Sequence, residues 1–419
     1  MSGFDERFDD LDRLVTELNL IDPTDSGTAK AVPYDTRGTA KAVPYDTRGT
    51  AEAVPYERAF VDTDFARLDA WLERVRNEDG GSDLLLVSGS PPIVRAPGRL
   101  LRISTEPLGS EEIENAVRPA AGPRLLQRFR AGHAVDLAFT RPGLGRFRMN
   151  LHRERGRTAA SIRALPRKIP RLADLHFSHD ISLLAALPRG LVLIGGPTGS
   201  GKTTTLAALV SAINERDERH IITVEDPIEY EHPHGRSLIE QVEIGIDAPD
   251  FPSALRSAVR QAPDVIVVGE MRDPETMRIA LSAAETGHLV FATVHTTDVS
   301  AAISRIADAF PTERQNAVRQ ELSMALAAIL TQTLVPAKTG GVVPVAELLM
   351  VSYGARQHVR KNALQHLNQE ITITRKTGSF SFEESLARLV RNGTLERADA
   401  QLRAAHPEEL ESLLSPGRA

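Results

Sequence analysis

An apolar run, LVLIG, leads directly into Gly196-Pro197-Thr198-Gly199-Ser200-Gly201-Lys202-Thr203, with Thr204 behind it. This matches G-x-x-x-x-G-K-[ST], and each residue type has a physical reason to be there. The glycines let successive backbone N–H groups curl inward around phosphate oxygens. A helix opening at the end of the loop adds an N-terminal dipole that favours the same negative charge. Lys202 is placed to reach β- and γ-phosphates, and the Thr203 hydroxyl to hold a magnesium ion. A glycine-rich turn matching by chance would lack the strand before it and the helix after it. The chemistry indicated is binding of ATP with Mg2+, and Gly196 through Thr204 are the candidate contacts.

Such a loop needs carboxylates on neighbouring strand ends to complete the metal shell and orient a water. IITVE ends at Glu225, followed by Asp226 and Glu229, and DVIVVG is followed by Glu270. The position where a metal-binding aspartate is usual holds Gly269. Glu270 is therefore the strand-tip carboxylate able to polarise a water, and Glu229 is left to share the magnesium through bound water. Glu225 and Asp226 also read as caps of the following turn. His295 follows LVFATV at the carboxyl edge, the side on which ligands of open α/β sheets lie, and reads as a γ-phosphate sensor. His288, at the opposite end of that strand, reads as structural.

Arginines form a third group. From Arg141 to Arg171 there are nine Arg and one Lys against a single acid, Glu154. Arg148 and Arg163 fall inside the strand-like runs RFRMN and SIRAL, and their planar forks suit phosphate oxygens. A solvated basic face is the plain alternative. No arginine follows the glycine-rich loop in a position to act on its own chain's phosphates, so a finger from a neighbouring subunit is expected.

The elements that must position these residues are legible in outline. The chain has 419 residues, 41% hydrophobic and 25% charged, enough for two cores. Its net charge of −6 argues against coating a polyanion, and the absence of cysteine excludes disulfides and thiolate zinc sites. No stretch has the roughly 18 apolar residues of a membrane helix, and MSGFDERFDD is too acidic for a secretory signal, so a cytoplasmic location is expected. Residues 1–61 carry a short helical stripe (Phe4, Phe8, Leu11, Leu14, Val15, Leu18) and the repeat TAKAVPYDTRG, which reads as an extended, mobile linker. Residues 62–168 read as a compact mixed α/β domain with a helix over Asp64–Arg76. Residues 169–351 alternate apolar strands and helices, the pattern of a mostly parallel sheet covered on both faces, with 300–335 helical throughout. Residues 352–419 read as a helical tail in which Ser381 and Glu384 form a capping box ahead of Gly393.

Taken together, GPTGSGKTTT, ITVEDPIEYEH and RQAPDVIVVGEMRDPETMRIALSAAETGHLVFATVHTTD resemble the Walker A, Asp box, Walker B and His box of the secretion-type ATPases. Within that group the chain is similar to the type IV pilus retraction branch, over about residues 64 to 400. GSDLLLVSGSPPIVR and LGRFRMNLHRERGRTAASIRALP resemble that branch's N-terminal strands. The resemblance implies an α/β fold: a smaller PAS-like N-terminal domain, a RecA-like P-loop ATPase domain and a helical C-terminal tail. It implies Glu270 as general base, Glu229 as metal and water ligand, and His295 as a γ-phosphate contact. Arg148 and Arg163 become candidates to reach nucleotide across a subunit interface. It also implies a homo-hexamer working against an inner-membrane pilus platform protein, without inserting in the membrane itself or binding nucleic acid. The chain departs from the branch at Leu85, where a histidine is usual, and at GARQHVRK (354–361), where a retraction-linked motif is usual. A related assembly or secretion ATPase, a RecA-like nucleic-acid translocase and a non-hydrolysing regulator are the other readings. The translocase needs an aromatic or basic track, and aromatics are 5% of the chain.

Overall fold

A computed structural model describes residues 65–415, so the N-terminal stripe and the repeat lie outside the described residues. Two sheets organise the remainder. The first is antiparallel throughout, in the order β3-β2-β1-β6-β5-β4. Its strands are β1 (Asp83–Val87), β2 (Ile93–Ala96), β3 (Arg99–Arg102), β4 (Val135–Arg141), β5 (Gly145–Glu154) and β6 (Arg157–Ala164). Two helices, α1 (Ala66–Asn77) and α2 (Ser110–Arg130), cover its apolar face. Trp71 of α1, Phe129 of α2, and Phe147 and Met149 of β5 meet in that core. Helix α2 bends where Gly122 takes a φ of 66°, between Pro119 and Pro123.

The second sheet has the order β13-β12-β7-β11-β10-β8-β9. Its strands are β7 (Gly190–Gly195), β8 (His220–Glu225), β9 (Leu238–Glu243), β10 (Val265–Val268), β11 (Leu289–Val294), β12 (Leu326–Pro336) and β13 (Val342–Met350). All neighbours are parallel except β13, which returns antiparallel to β12. Strands β7, β10 and β11 are buried at every position, which is why they read as unbroken apolar runs rather than alternating ones. On one face Leu191, Leu193, Ile266 and Val290 pack under α4 (Phe251–Ala258), α5 (Pro274–Glu285), α6 (Val299–Asp308) and α7 (Thr312–Ala325). On the other face Val192, Ile194, Val267 and Phe291 pack under Leu206, Leu209 and Ile213 of α3 (Lys202–Arg216).

The expectation of helix across 300–335 is corrected. Helix α6 ends at Asp308 and α7 at Ala325, and Leu326–Pro336 is strand β12. The run LAAILTQTLVP is apolar enough for either state. Its place beside β7, with Ile329 opposite Leu193 and Thr331 opposite Gly195, decides the matter. Beyond β13 the described chain is mainly helical from Tyr353 to Leu414. Ser381 and Glu384 make the expected reciprocal cap of the helix Phe382–Arg391. Gly393 follows with a φ of 71°.

Candidate functional site

Strand β7 delivers the chain to the loop 196–201 at the carboxyl edge of the larger sheet, and the helix Lys202–Arg216 begins immediately after it. A side chain at Gly196 would place its Cβ 2.3 Å from both the Gln332 carbonyl and Ser200 Oγ, so the turn closes only with glycine. Gln332 of β12 supports the loop from beneath, donating from Nε2 to the Ser200 carbonyl at 2.7 Å. Sequence reading passed over Gln332 because it lies in the stretch taken for helix.

Lys202 is buried, and its ammonium donates to the carbonyls of Gly196 (2.8 Å) and Pro197 (3.0 Å). Burial pushes its pKa down, while the nearby charge of Glu270 pulls it back up. The Thr203 hydroxyl stands beside the Glu229 carboxyl and favours its charged form. Thr204 Oγ1 lies 3.1 Å from the Tyr230 hydroxyl. Loop, helix start and acidic segment therefore converge, bringing Lys202, Thr203, Glu229 and Glu270 to one place.

Glu229 is largely buried and its pKa is raised, chiefly by that burial. The charges of Arg148 and Arg163 and the Thr203 hydroxyl oppose the rise. These arginines belong to the same chain, so their approach to Glu229 requires no second subunit. Cross-strand register puts Arg148 of β5 directly opposite Arg163 of β6, and Arg163 opposite Asp83 of β1. Two like charges in register repel. Asp83 accepts from Arg163 Nε at 2.9 Å, and Asp136 stands 4.0 Å from Arg148.

Glu270 follows β10. It pairs with Arg272 at 2.8 Å and with His295 Nε2 at 3.2 Å. Burial raises its pKa, but the Arg272 hydrogen bond and charge, then His295, more than offset this and leave it below the ordinary value. Arg272 was missed in the sequence, although its place two residues past Glu270 was a usable signal. At Gly269 an added Cβ would lie 3.1 Å from the Val224 carbonyl and 3.3 Å from Glu225 Cα, so the backbone of β8 leaves little room for a side chain there. Glu225 accepts from Thr223 Oγ1 (2.7 Å) and Gln241 Nε2 (3.1 Å), which occupies it structurally. Asp226 is exposed, and Arg272 feels its charge. His288 Nδ1 lies 2.9 Å from the Ala283 carbonyl, in keeping with a structural histidine.

Among the described residues no helix is long and apolar enough to cross a membrane.

Comparison with known proteins follows the same lines. The family described as type II/IV secretion system protein matches residues 159–405. The chain is 38% identical over 331 residues to the type IV pilus retractation ATPase PilT of Pseudomonas aeruginosa, covering 79% of this chain and 96% of that protein. It is 35% identical over 347 residues to the type IV pilus ATPase PilU of the same organism, covering 83% and 91%. The crystal structure of the pilus retraction motor PilT with bound ADP superposes with a TM-score of 0.74 at 39% identity, covering 81% of this chain and 98% of that one. The Legionella pneumophila ATPase DotB superposes with a TM-score of 0.70 at 26% identity, covering 80% and 94%.

Proposed function

This chain belongs to the type II/IV secretion system protein family, and on that premise we propose that it is an ATP-hydrolysing motor driving type IV pilus retraction. The observation that carries the reading is the convergence of two carboxylates on one phosphate loop. The Thr203 hydroxyl stands beside Glu229, and the charge of Glu270 acts on Lys202.

The residues fit ATP and a magnesium ion. Lys202 turns its ammonium onto loop carbonyls that phosphate oxygens can replace as acceptors. Burial raises the Glu229 pKa against the opposing charges of Arg148 and Arg163, so a further cation there would favour its charged form, and the Thr203 hydroxyl beside it is a natural metal ligand. Thr203 and Glu229 would hold the ion, which when bound supplies charge neutralisation at the phosphates. Gly196 to Thr204 wrap the phosphates. Glu270 takes one proton from the attacking water, whose oxygen bonds the γ-phosphorus as the bond to the ADP oxygen breaks. Its low pKa keeps it ionised and ready to accept that proton. His295, 3.2 Å from Glu270, senses the γ-phosphate beside the base. Arg148 and Arg163 approach the phosphates from the first sheet, so closure of the two sheets on nucleotide couples hydrolysis to movement. A homo-hexamer acting from the cytoplasm on an inner-membrane platform protein is the assembly this mechanism suits. The PilT and PilU likenesses support the pilus role.

Steady-state ATP turnover by purified protein, with Glu270→Gln as control, tests the chemistry. The variant should lose roughly 100- to 10,000-fold in kcat. Deletion of the encoding gene tests the role. Lost twitching motility with excess surface pili supports retraction, whereas unchanged piliation points to a related secretion or assembly machine.

A further inference from the structure

The acidic segment between β8 and β9 contains Glu229 yet has no helix or strand of its own. Something must hold this partly buried carboxylate in place there. On its far side the fixing groups are local. Gln241 Nε2 donates to the Tyr230 carbonyl at 2.8 Å, and Gln241 Oε1 accepts from the His232 N–H at 2.8 Å. On its near side the fixing group comes from the other sheet. Arg146 of β5 donates from Nε to the Ile228 carbonyl at 2.8 Å and pairs through Nη2 with Glu243 at the end of β9. The same Glu243 carboxylate accepts the Ile228 N–H at 3.1 Å. Both polar groups of the residue just before Glu229 are thus tied to one ion pair. Nη1 completes the fork, reaching Thr140 Oγ1 (3.2 Å) and Glu231 (3.3 Å), while Thr140 donates to Glu231 at 2.9 Å.

We propose that Arg146 is a positioning residue that fixes Glu229 at the phosphate loop and transmits displacement of the first sheet to it. This rests on Glu229 acting as metal and water ligand. The pair is an unlikely device for stability alone. The Glu243 side chain is 4% exposed and that of Arg146 14%, and an ion pair so deeply placed roughly breaks even against an apolar replacement. What it supplies is direction, because a guanidinium donates along three fixed lines at once. Lysine, a single charge on a flexible stem, cannot hold Ile228 O, Glu243 and Glu231 together. Arg146 also lies two residues from Arg148 on the same strand, so the two share a face. One grips the backbone before Glu229, and the charge of the other reaches its carboxyl.

The test is steady-state MgATP hydrolysis by wild type, Arg146→Lys, Glu229→Gln and the double variant Arg146→Lys/Glu229→Gln, each with a thermal melt. Arg146→Lys keeps the charge beside Glu243, which protects the fold where Arg146→Ala could lose it. The expected result is a kcat lowered about 10- to 100-fold, with KM for ATP changed less than about threefold and melting near wild type. In the Glu229→Gln background the added lysine should cost less than about threefold. Full kcat in Arg146→Lys, a loss confined to KM, or losses that multiply in the double variant would overturn the proposal. If Glu229→Gln is inactive while Arg146→Lys is normal, only the positioning role falls. If Glu229→Gln keeps wild-type kcat, or wild type fails to turn over ATP, the assignment beneath it falls as well.

Discussion

Arg272 Nη2 lies 2.8 Å from the Glu270 carboxylate, on the opposite carboxylate oxygen from His295. The proposed base is thus held between a guanidinium and an imidazole. Arg272 is the larger reason its pKa stays low. A base must be ionised to act, so the rate falls as pH drops through its pKa. Arg272→Ala leaves burial unopposed by its main partner and should move the acid limb of the kcat–pH profile to higher pH. An acid limb that does not move would show that Arg272 does not tune Glu270.

Among the described residues no carboxylate hydrogen-bonds Lys202, and its ammonium rests on two loop carbonyls. Replacement by alanine removes the charge that nucleotide phosphates would take up. Charge-assisted hydrogen bonds contribute about 1.5–3 kcal/mol, so binding of a fluorescent ATP analogue should weaken roughly 10- to 100-fold. Unchanged affinity would count against the loop as the phosphate site.

Gly269 stands where a metal-binding aspartate was expected, and its surroundings give the reason. The carbonyl of Val224 and the Cα of Glu225 crowd the position a Cβ would take. Gly269→Asp should therefore destabilise the fold by about 1–3 kcal/mol, read by urea unfolding, rather than improve turnover. A stable variant with higher kcat would contradict this.

Glu347 of β13 is buried, accepting the Val299 N–H at 2.8 Å and the Thr331 hydroxyl at 3.2 Å, and burial pushes its pKa up from 4.5 to about 7. The folded state then holds more protons than the unfolded state between those two values. Stability conferred by this group is full below pH 4.5 and declines as pH rises toward 7, by roughly 3 kcal/mol. His179, in which burial and then Arg388 lower the pKa from 6.5 to about 4, acts oppositely and destabilises as pH falls through that window. Comparing Glu347→Gln with wild type isolates the glutamate. The variant should lose the decline, and identical pH dependence of the two melting curves would refute it.

The phosphate loop, Glu270 and His295 were legible because each stands where an apolar strand ends. Gly196–Thr203 follows LVLIG, Glu270 follows DVIVVG and His295 follows LVFATV, and a parallel sheet brings all such ends to one edge. Strand β12 was not legible. Its eleven residues suit helix and strand alike, and only pairing with β7 and β13 separates the two. Gln332, carried on that strand, was lost with it. Arg146 and Arg148 looked alike in RFRMN, two arginines two residues apart on one face. Their different partners, Glu243 and Ile228 for one and the neighbourhood of Glu229 for the other, depend on how the two sheets meet.

What the amino-acid order determined alone was local: a loop that only glycine can close, apolar runs of strand length, and charged groups at their tips. These follow from backbone sterics and burial, which act over a few residues. Tertiary structure decided the rest. It chose which carboxylate meets which cation, since Arg146 and Glu243 stand 97 residues apart and are paired through space rather than along the chain. It also set the protonation of Glu229, Glu270 and Glu347, because a pKa is the sum of burial and neighbouring charge, and both exist only once the sheets have come together.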